Sequence, residues 1–200
     1  VRSGKAELHQ LSALAILSVV ITAPETLRQA QQKSPEDPLV CLGLGAEYMV
    51  NCDYPNAREL LLKAVKFGSQ TWGTHSLLGN CWIETQDWKQ LPLWWKNLPD
   101  QEQIPVPGVW VNAARWAEAA GDEPGAIRCY FEALQRDPTH VMAHSNLAQL
   151  LAKNGELELS ERLAVRIRDL IVVRQYVQRV REYPGELIDA MPMVEALQRL

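Results

Sequence analysis

The side chains that could do chemistry in this chain are few, and their spacing groups them poorly. His140 and His144 stand four apart in "HVMAH", a spacing that sets two imidazoles on one helix face as metal ligands require. The segment lacks the second-position glutamate of the zinc-protease signature, however, and His140 belongs to a turn between helices. Cys41, Cys52, Cys81 and Cys129 contain no C-x-x-C pair, so their spacing specifies neither a zinc site nor a disulfide framework, and they read as small buried hydrophobes. "GLGAE" after Leu42 has glycines that helix packing explains, not a phosphate loop, and Glu156 and Glu158 lie near a helix start where the dipole accounts for them. With no nucleophile, base and orienter in view, the expectation is a non-enzymatic chain with no metal and no cofactor.

Two further clusters raise binding rather than catalysis. Arg162, Arg166, Arg168, Arg174, Arg179 and Arg181, opposed by Asp169, make one late helix locally basic. Such a face grips an acidic partner or phosphates, or is simply the solvated side of a helix that buries Leu163, Ile167, Leu170 and Val177, which is the preferred reading. The net charge of -4 gives no global pull toward nucleic acid or anionic membrane, so no nucleic-acid partner is expected. The second cluster is "DWKQLPLWWKNLP", in which Trp88, Trp94 and Trp95 serve as a ligand platform or as core, depending on the elements that carry them.

The elements are helical. In "AGDEPGAIRCYFEALQRDP", Gly121 ends one helix, Asp122 caps the next, Pro124 sits in the first turn where its missing N–H costs nothing, and Pro138 follows the end. Ala126, Ile127, Tyr130, Ala133 and Leu134 form one apolar stripe at three-to-four spacing. The same grammar recurs at Asp53 with Ala57, Leu61 and Ala64, and at Asp87 with Leu91, Trp95 and Leu98; the steps are 34 residues from Asp53 to Asp87, 35 to Asp122 and 34 to Glu156. A preceding helix in each unit carries Gly45, Gly79, Ala114 and Ala148 where two helices must approach closely.

The period of about 34 is the tetratricopeptide length. The segment from Trp110 to Pro138 resembles a tetratricopeptide repeat through Trp110, Gly121-Asp122, Ala126-Ile127, Tyr130, Ala133-Leu134 and Asp137-Pro138. The resemblance implies an all-α fold, a right-handed superhelical stack of antiparallel helix pairs, or TPR-like α-solenoid. Four units are expected, at 38–71, 72–106, 107–140 and 141–174, after an irregular helix pair over 1–37. The unit at 72–106 departs most, with Leu91 where a small residue is usual and Pro92 after it. The helix from about Glu156 is expected to run to near Tyr183, where Pro184-Gly185 stops it, with 175–200 forming this extension and the start of a further unit. Since a solenoid needs polar closing helices and neither end supplies one, the chain reads as part of a longer protein.

The apolar run Leu11 to Ala23 has a signal-peptide-like length, but Glu7, His9, Ser12 and Ser18 argue for a buried amphipathic helix, and the run is too short for the ~20 residues that span a bilayer. The expected compartment is cytoplasmic, with no membrane partner.

The resemblance also implies a function: protein or peptide binding in the concave groove lined by the first helix of each pair. Helical phase places Asn80, Asn112, Arg115, Asn146 and Gln149 there, and amides suit the task because they both donate to and accept from a ligand backbone. Ser76 and Met142 stand where a carboxylate-clamping subclass uses basic residues, so chaperone-tail binding is not expected. The alternatives are an accessory domain of a larger enzyme and a self-association module, with homo-oligomers forming through open solenoid ends. Within the repeat, Trp95 falls on the buried stripe with Tyr130 and Leu61, Trp88 also reads as core, and Trp94 takes an edge position beside the neighbouring unit.

Overall fold

In a computed structural model the chain is described over residues 24–100, 103–183 and 190–200. The expected helix over Leu11 to Ala23 and the Pro184-Gly185 stop lie outside these residues. The described residues form helices joined by short turns, with no strand among them: α1 (Pro24–Lys33), α2 (Pro38–Val50), α3 (Tyr54–Lys66), α4 (Trp72–Glu84), a 3-10 turn (Trp88–Gln90) leading into α5 (Leu91–Lys96), α6 (Pro107–Ala119), α7 (Glu123–Arg136), α8 (Val141–Lys153), α9 (Leu157–Glu182) and α10 (Met191–Arg199).

Local chemistry fixes most of these boundaries. Asp37 accepts from the Leu39 and Val40 N–H groups at 2.8 and 3.1 Å and starts α2; Asp122 accepts from the Gly125 N–H at 2.9 Å and starts α7. Thr71 and His140 cap α4 and α8 in the same way, the latter through Nδ1 and the Ala143 N–H at 3.2 Å. Each cap satisfies a backbone donor that the first turn leaves unpaired, worth about 0.5–2 kcal/mol. Gly121 takes φ 78 between α6 and α7, a left-handed conformation that favours glycine. Cys52 occupies the matching turn between α2 and α3 at φ 57 and is exposed, which corrects the expectation that all four cysteines are buried: the turn holds it outside the helix packing.

The helices stack as antiparallel pairs. α2 packs on α3, α6 on α7 and α8 on α9; α3 to α4, α4 to α6 and α7 to α8 join successive pairs, with α1 against α2 and α10 against α9. At the closest approaches a small residue receives a large one: Gly45 faces Leu61, Gly79 faces the Trp94 ring, and fully buried Ala114 shares a core with Tyr130. Two principal cores result. One runs from α2 to α6 through Cys41, Leu61, Leu78, Leu91 and Trp94; the other from α6 to α9 through Val111, Ala126, Tyr130 and Leu147; Trp110 packs against both.

The unit at 72–106 corrects the sequence reading of its tryptophans. Asp87 makes no cap bond; its carboxylate lies 3.6 Å from Arg58 instead, and the chain enters a 3-10 turn with three residues per turn before Pro92 takes the first turn of α5. That tighter turn shifts the helical phase of the residues after it. Trp94, 2% exposed, is the residue that fills the core beside Gly79, and its indole N–H donates to the His75 carbonyl at 2.8 Å. Trp95 is half-buried and Trp88, at the start of the 3-10 turn, is 36% exposed, so neither is the core residue the periodicity implies. Farther on, Val177 is 48% exposed rather than buried, because α9 outruns α8 and nothing among the described residues packs over it there.

Candidate functional site

The first helices of successive pairs, α4, α6 and α8, carry the residues singled out for binding. Ser76, Asn80 and Glu84 lie at four-residue intervals on α4, one stripe facing α6. Asn112 Nδ2 donates to the Ser76 carbonyl at 2.7 Å, and Gly108 leaves room for the Ser76 hydroxyl. A turn along, Arg115 Nη1 meets Glu84 Oε1 at 2.6 Å. Between these two contacts the Asn80 Oδ1 is buried with no hydrogen-bond partner.

The next seam is built differently. Tyr130 reaches out of the core and its hydroxyl donates to a Glu118 carboxylate oxygen at the end of α6, while Asn146 on α8 adds a side-chain hydrogen bond to the same hydroxyl. Burial, then the Glu118 carboxylate, pushes the Tyr130 phenol far above its ordinary range, so it stays a neutral donor. Gln149 is exposed beyond this cluster.

The structure therefore brings Asn80, Asn112 and Arg115 together on one seam and sets Asn146 and Gln149 on the adjoining one, but gives them different tasks. Asn112 is only 4% exposed and its amide nitrogen is committed to Ser76, so it clasps α6 to α4 rather than presenting an open amide. Arg115 is held by Glu84 at the surface, and Asn80 and Gln149 keep uncommitted polar atoms. Glu84 and Glu118 are not singled out by the sequence, and Tyr130 is singled out there only as part of the buried stripe. Glu84 carried a signal, since it continues the Ser76–Asn80 stripe, whereas the Tyr130–Glu118 bond joins two helices in a way spacing does not show.

The groups that suggested chemistry are packed or capping. His140 is the cap of α8, burial holds it below the usual imidazole range, and His144 Nε2 hydrogen-bonds the Pro138 carbonyl at 2.9 Å. Burial pushes the Cys81 thiol up to about 12, and its Sγ lies 3.1 Å from the Met49 sulfur, so it is not a thiolate nucleophile. Among the described residues no group of three or more His, Cys, Asp and Glu is placed to hold a metal, and no helix is long and apolar enough to cross a membrane.

Comparison with known proteins agrees with this architecture. A tetratricopeptide-repeat profile matches residues 129–162, from the middle of α7 through α8 into α9. One tetratricopeptide repeat is thus identified in the chain, over 129–162. Its helical stack superposes on that of PilF of Pseudomonas aeruginosa with a TM-score of 0.60 at 16% identity, covering 100% of this chain and 99% of that one. It also superposes on MamA MSR-1 with a TM-score of 0.52 at 16% identity, covering 84% of this chain and 93% of that one. At that identity the likeness is one of fold. No curated protein matches the sequence at a significant level.

Proposed function

We propose that this chain is a non-enzymatic scaffold that binds an extended protein or peptide segment along the groove formed by α4, α6 and α8. The observation that carries the reading is the buried, unpartnered Asn80 Oδ1 set between the Asn112–Ser76 clasp and the Arg115–Glu84 pair. An unsatisfied buried oxygen costs about 1–3 kcal/mol, and rotation of the Asn80 amide toward the groove would let a ligand backbone N–H satisfy it. Arg115 supports the same reading, because a ligand carboxylate would displace Glu84 with little net change in charge pairing. Asn146 and Gln149 extend the row by one repeat, and Asn112 serves as the residue that holds the seam in register.

Selection of peptides from a random displayed library against the purified protein tests the reading. Peptides enriched on the wild type are expected to lose about tenfold in affinity for Asn80→Ala with Gln149→Ala, the loss of two hydrogen bonds. Helicity by circular dichroism should be unchanged. Selected peptides that bind the double variant as tightly as wild type contradict it.

A second reading, self-association, is favoured by Val177, Val180 and Tyr183 on α9 and just past it and by Leu197 on α10, all exposed. Light scattering across a concentration series separates the two, since a mass that stays monomeric throughout removes this one.

A further inference from the structure

The most irregular unit opens a cavity in the layer of second helices. α5 spans six residues after its 3-10 turn, where α3 and α7 have 13 and 14. The space left is a cavity of about 490 Å³ whose walls include Trp95, Trp110, Trp116, Ala117, Arg128 and Glu132. It lies on the side of α6 away from Arg115, so it is separate from the groove formed by α4, α6 and α8. The volume falls in the ~300–1,000 Å³ range of pockets that hold small organic groups.

The tryptophans frame this space instead of filling it. Trp95 and Trp110 meet edge to face with ring centroids 5.9 Å apart, and Trp95 meets Trp94 likewise at 6.0 Å. The Arg136 guanidinium stacks 4.8 Å from the Trp110 ring and is anchored by Glu132 and by the Ile104 carbonyl. The wall is therefore rigid and aromatic, and a further ring can join it through the edge-to-face contacts that indoles favour.

The charges at the rim decide what accompanies that ring. Glu132 is paired with Arg136, and Asp122 is turned to the Gly125 N–H at the start of α7, where the helix dipole offsets its charge. Arg128 is exposed and makes no ion pair among the described residues. The uncommitted charge is thus positive, which favours an anionic group and disfavours a cationic one.

We propose that this cavity is a second docking site, which takes a large aromatic side chain of a partner peptide whose adjacent carboxylate pairs with Arg128. Small probes that share this chemistry test it directly. Indole-3-acetate, tryptamine and acetate are titrated into uniformly 15N-labelled protein, and the indole N–H signals of its seven tryptophans are followed. Indole-3-acetate is expected to shift the Trp95, Trp110 and Trp116 signals saturably, with at least tenfold weaker binding by tryptamine and no saturable shift with acetate. Arg128→Ala, a surface change, should abolish the preference for the carboxylate while leaving the peptide affinity of the α4–α6–α8 groove as in wild type. Equal binding of the two indoles, saturable shifts confined to other tryptophans, or no saturable shift at all overturns the proposal. Shifts of these signals that follow protein concentration rather than probe concentration mean that a second copy of the chain fills the cavity, and overturn it equally.

Discussion

A methyl group added at Gly79 would sit 2.6 Å from the Trp94 ring and 2.7 Å from Asn112 Nδ2, too close for either to remain in place. Helix propensity alone favours alanine there by about 1 kcal/mol, but overpacking a rigid ring costs about 1–3 kcal/mol, so the clash wins. Gly79→Ala is expected to lose about 1 kcal/mol or more in a urea titration. Gly45→Ala should be milder, because the neighbour there is the flexible Leu61 side chain. Asn112→Ala leaves the Ser76 carbonyl without its donor and should cost about 1–3 kcal/mol, a stability effect on a residue that sequence phase assigns to ligand contact.

His140 makes a pH-dependent prediction. Its Nδ1 caps α8 only as an unprotonated acceptor, and burial lowers its folded pKa below the ordinary value near 6.5. The unfolded chain therefore binds the proton first as pH falls. The capped fold has its full stability above about pH 6.5 and loses part of it from there toward the depressed folded value. His75, also held low by burial, contributes with the same sign. Melting temperature should fall from pH 7.5 to 5.5, and His140→Ser, which keeps a cap without a titrating group, should reduce that slope; an unaltered slope would exclude His140 as a source.

At the scale of the element, the helix pairs were legible where one residue announces one conformation. Gly121, Asp122 and Pro124 mark a turn, a cap and a first turn, and all three do so in the structure. The small residues at 45, 79 and 114 likewise marked the close approaches. The 72–106 unit was not legible, because a change from 3.6 to three residues per turn at Trp88–Gln90 rotates everything after it and exchanges the roles of Trp94 and Trp95. Of the candidate site, helical phase groups Asn80, Asn112 and Arg115 together, and they do share the α4–α6 seam, but the division of labour among them was not legible. Whether an amide is open or committed depends on a carbonyl 36 positions away, as Asn112 and Ser76 show.

α9 carries an element-scale prediction. Its first half packs on α8, and Asp169 accepts a bidentate bond from Arg199 of α10, which holds the aspartate below its usual range. Past Val173 its side chains are largely exposed, so no core holds that stretch. Amide hydrogen exchange should therefore be fast from about residue 174 to 182 and slow in α6 and α8. Uniform protection along α9 would mean that a further contact covers its second half.

For the whole molecule, stability is a sum of repeats and the interfaces between them, and Trp110 is the side chain that packs against both principal cores. Trp110→Ala should cost about 3 kcal/mol and lower the denaturant slope as the two halves cease to unfold together. The proposed role of the stack as a scaffold depends on a partner lying along the wall proposed for α4, α6 and α8. The most direct measurement is the 15N spectrum of side-chain amides with a library-selected peptide added. A scaffold that binds along this wall predicts that the Asn80, Asn146 and Gln149 amide signals shift together and saturate at one affinity, with Asn112 unmoved or moved least. Saturation with those three unmoved, and shifts confined to α3, α7 or the tryptophan cavity, would contradict it.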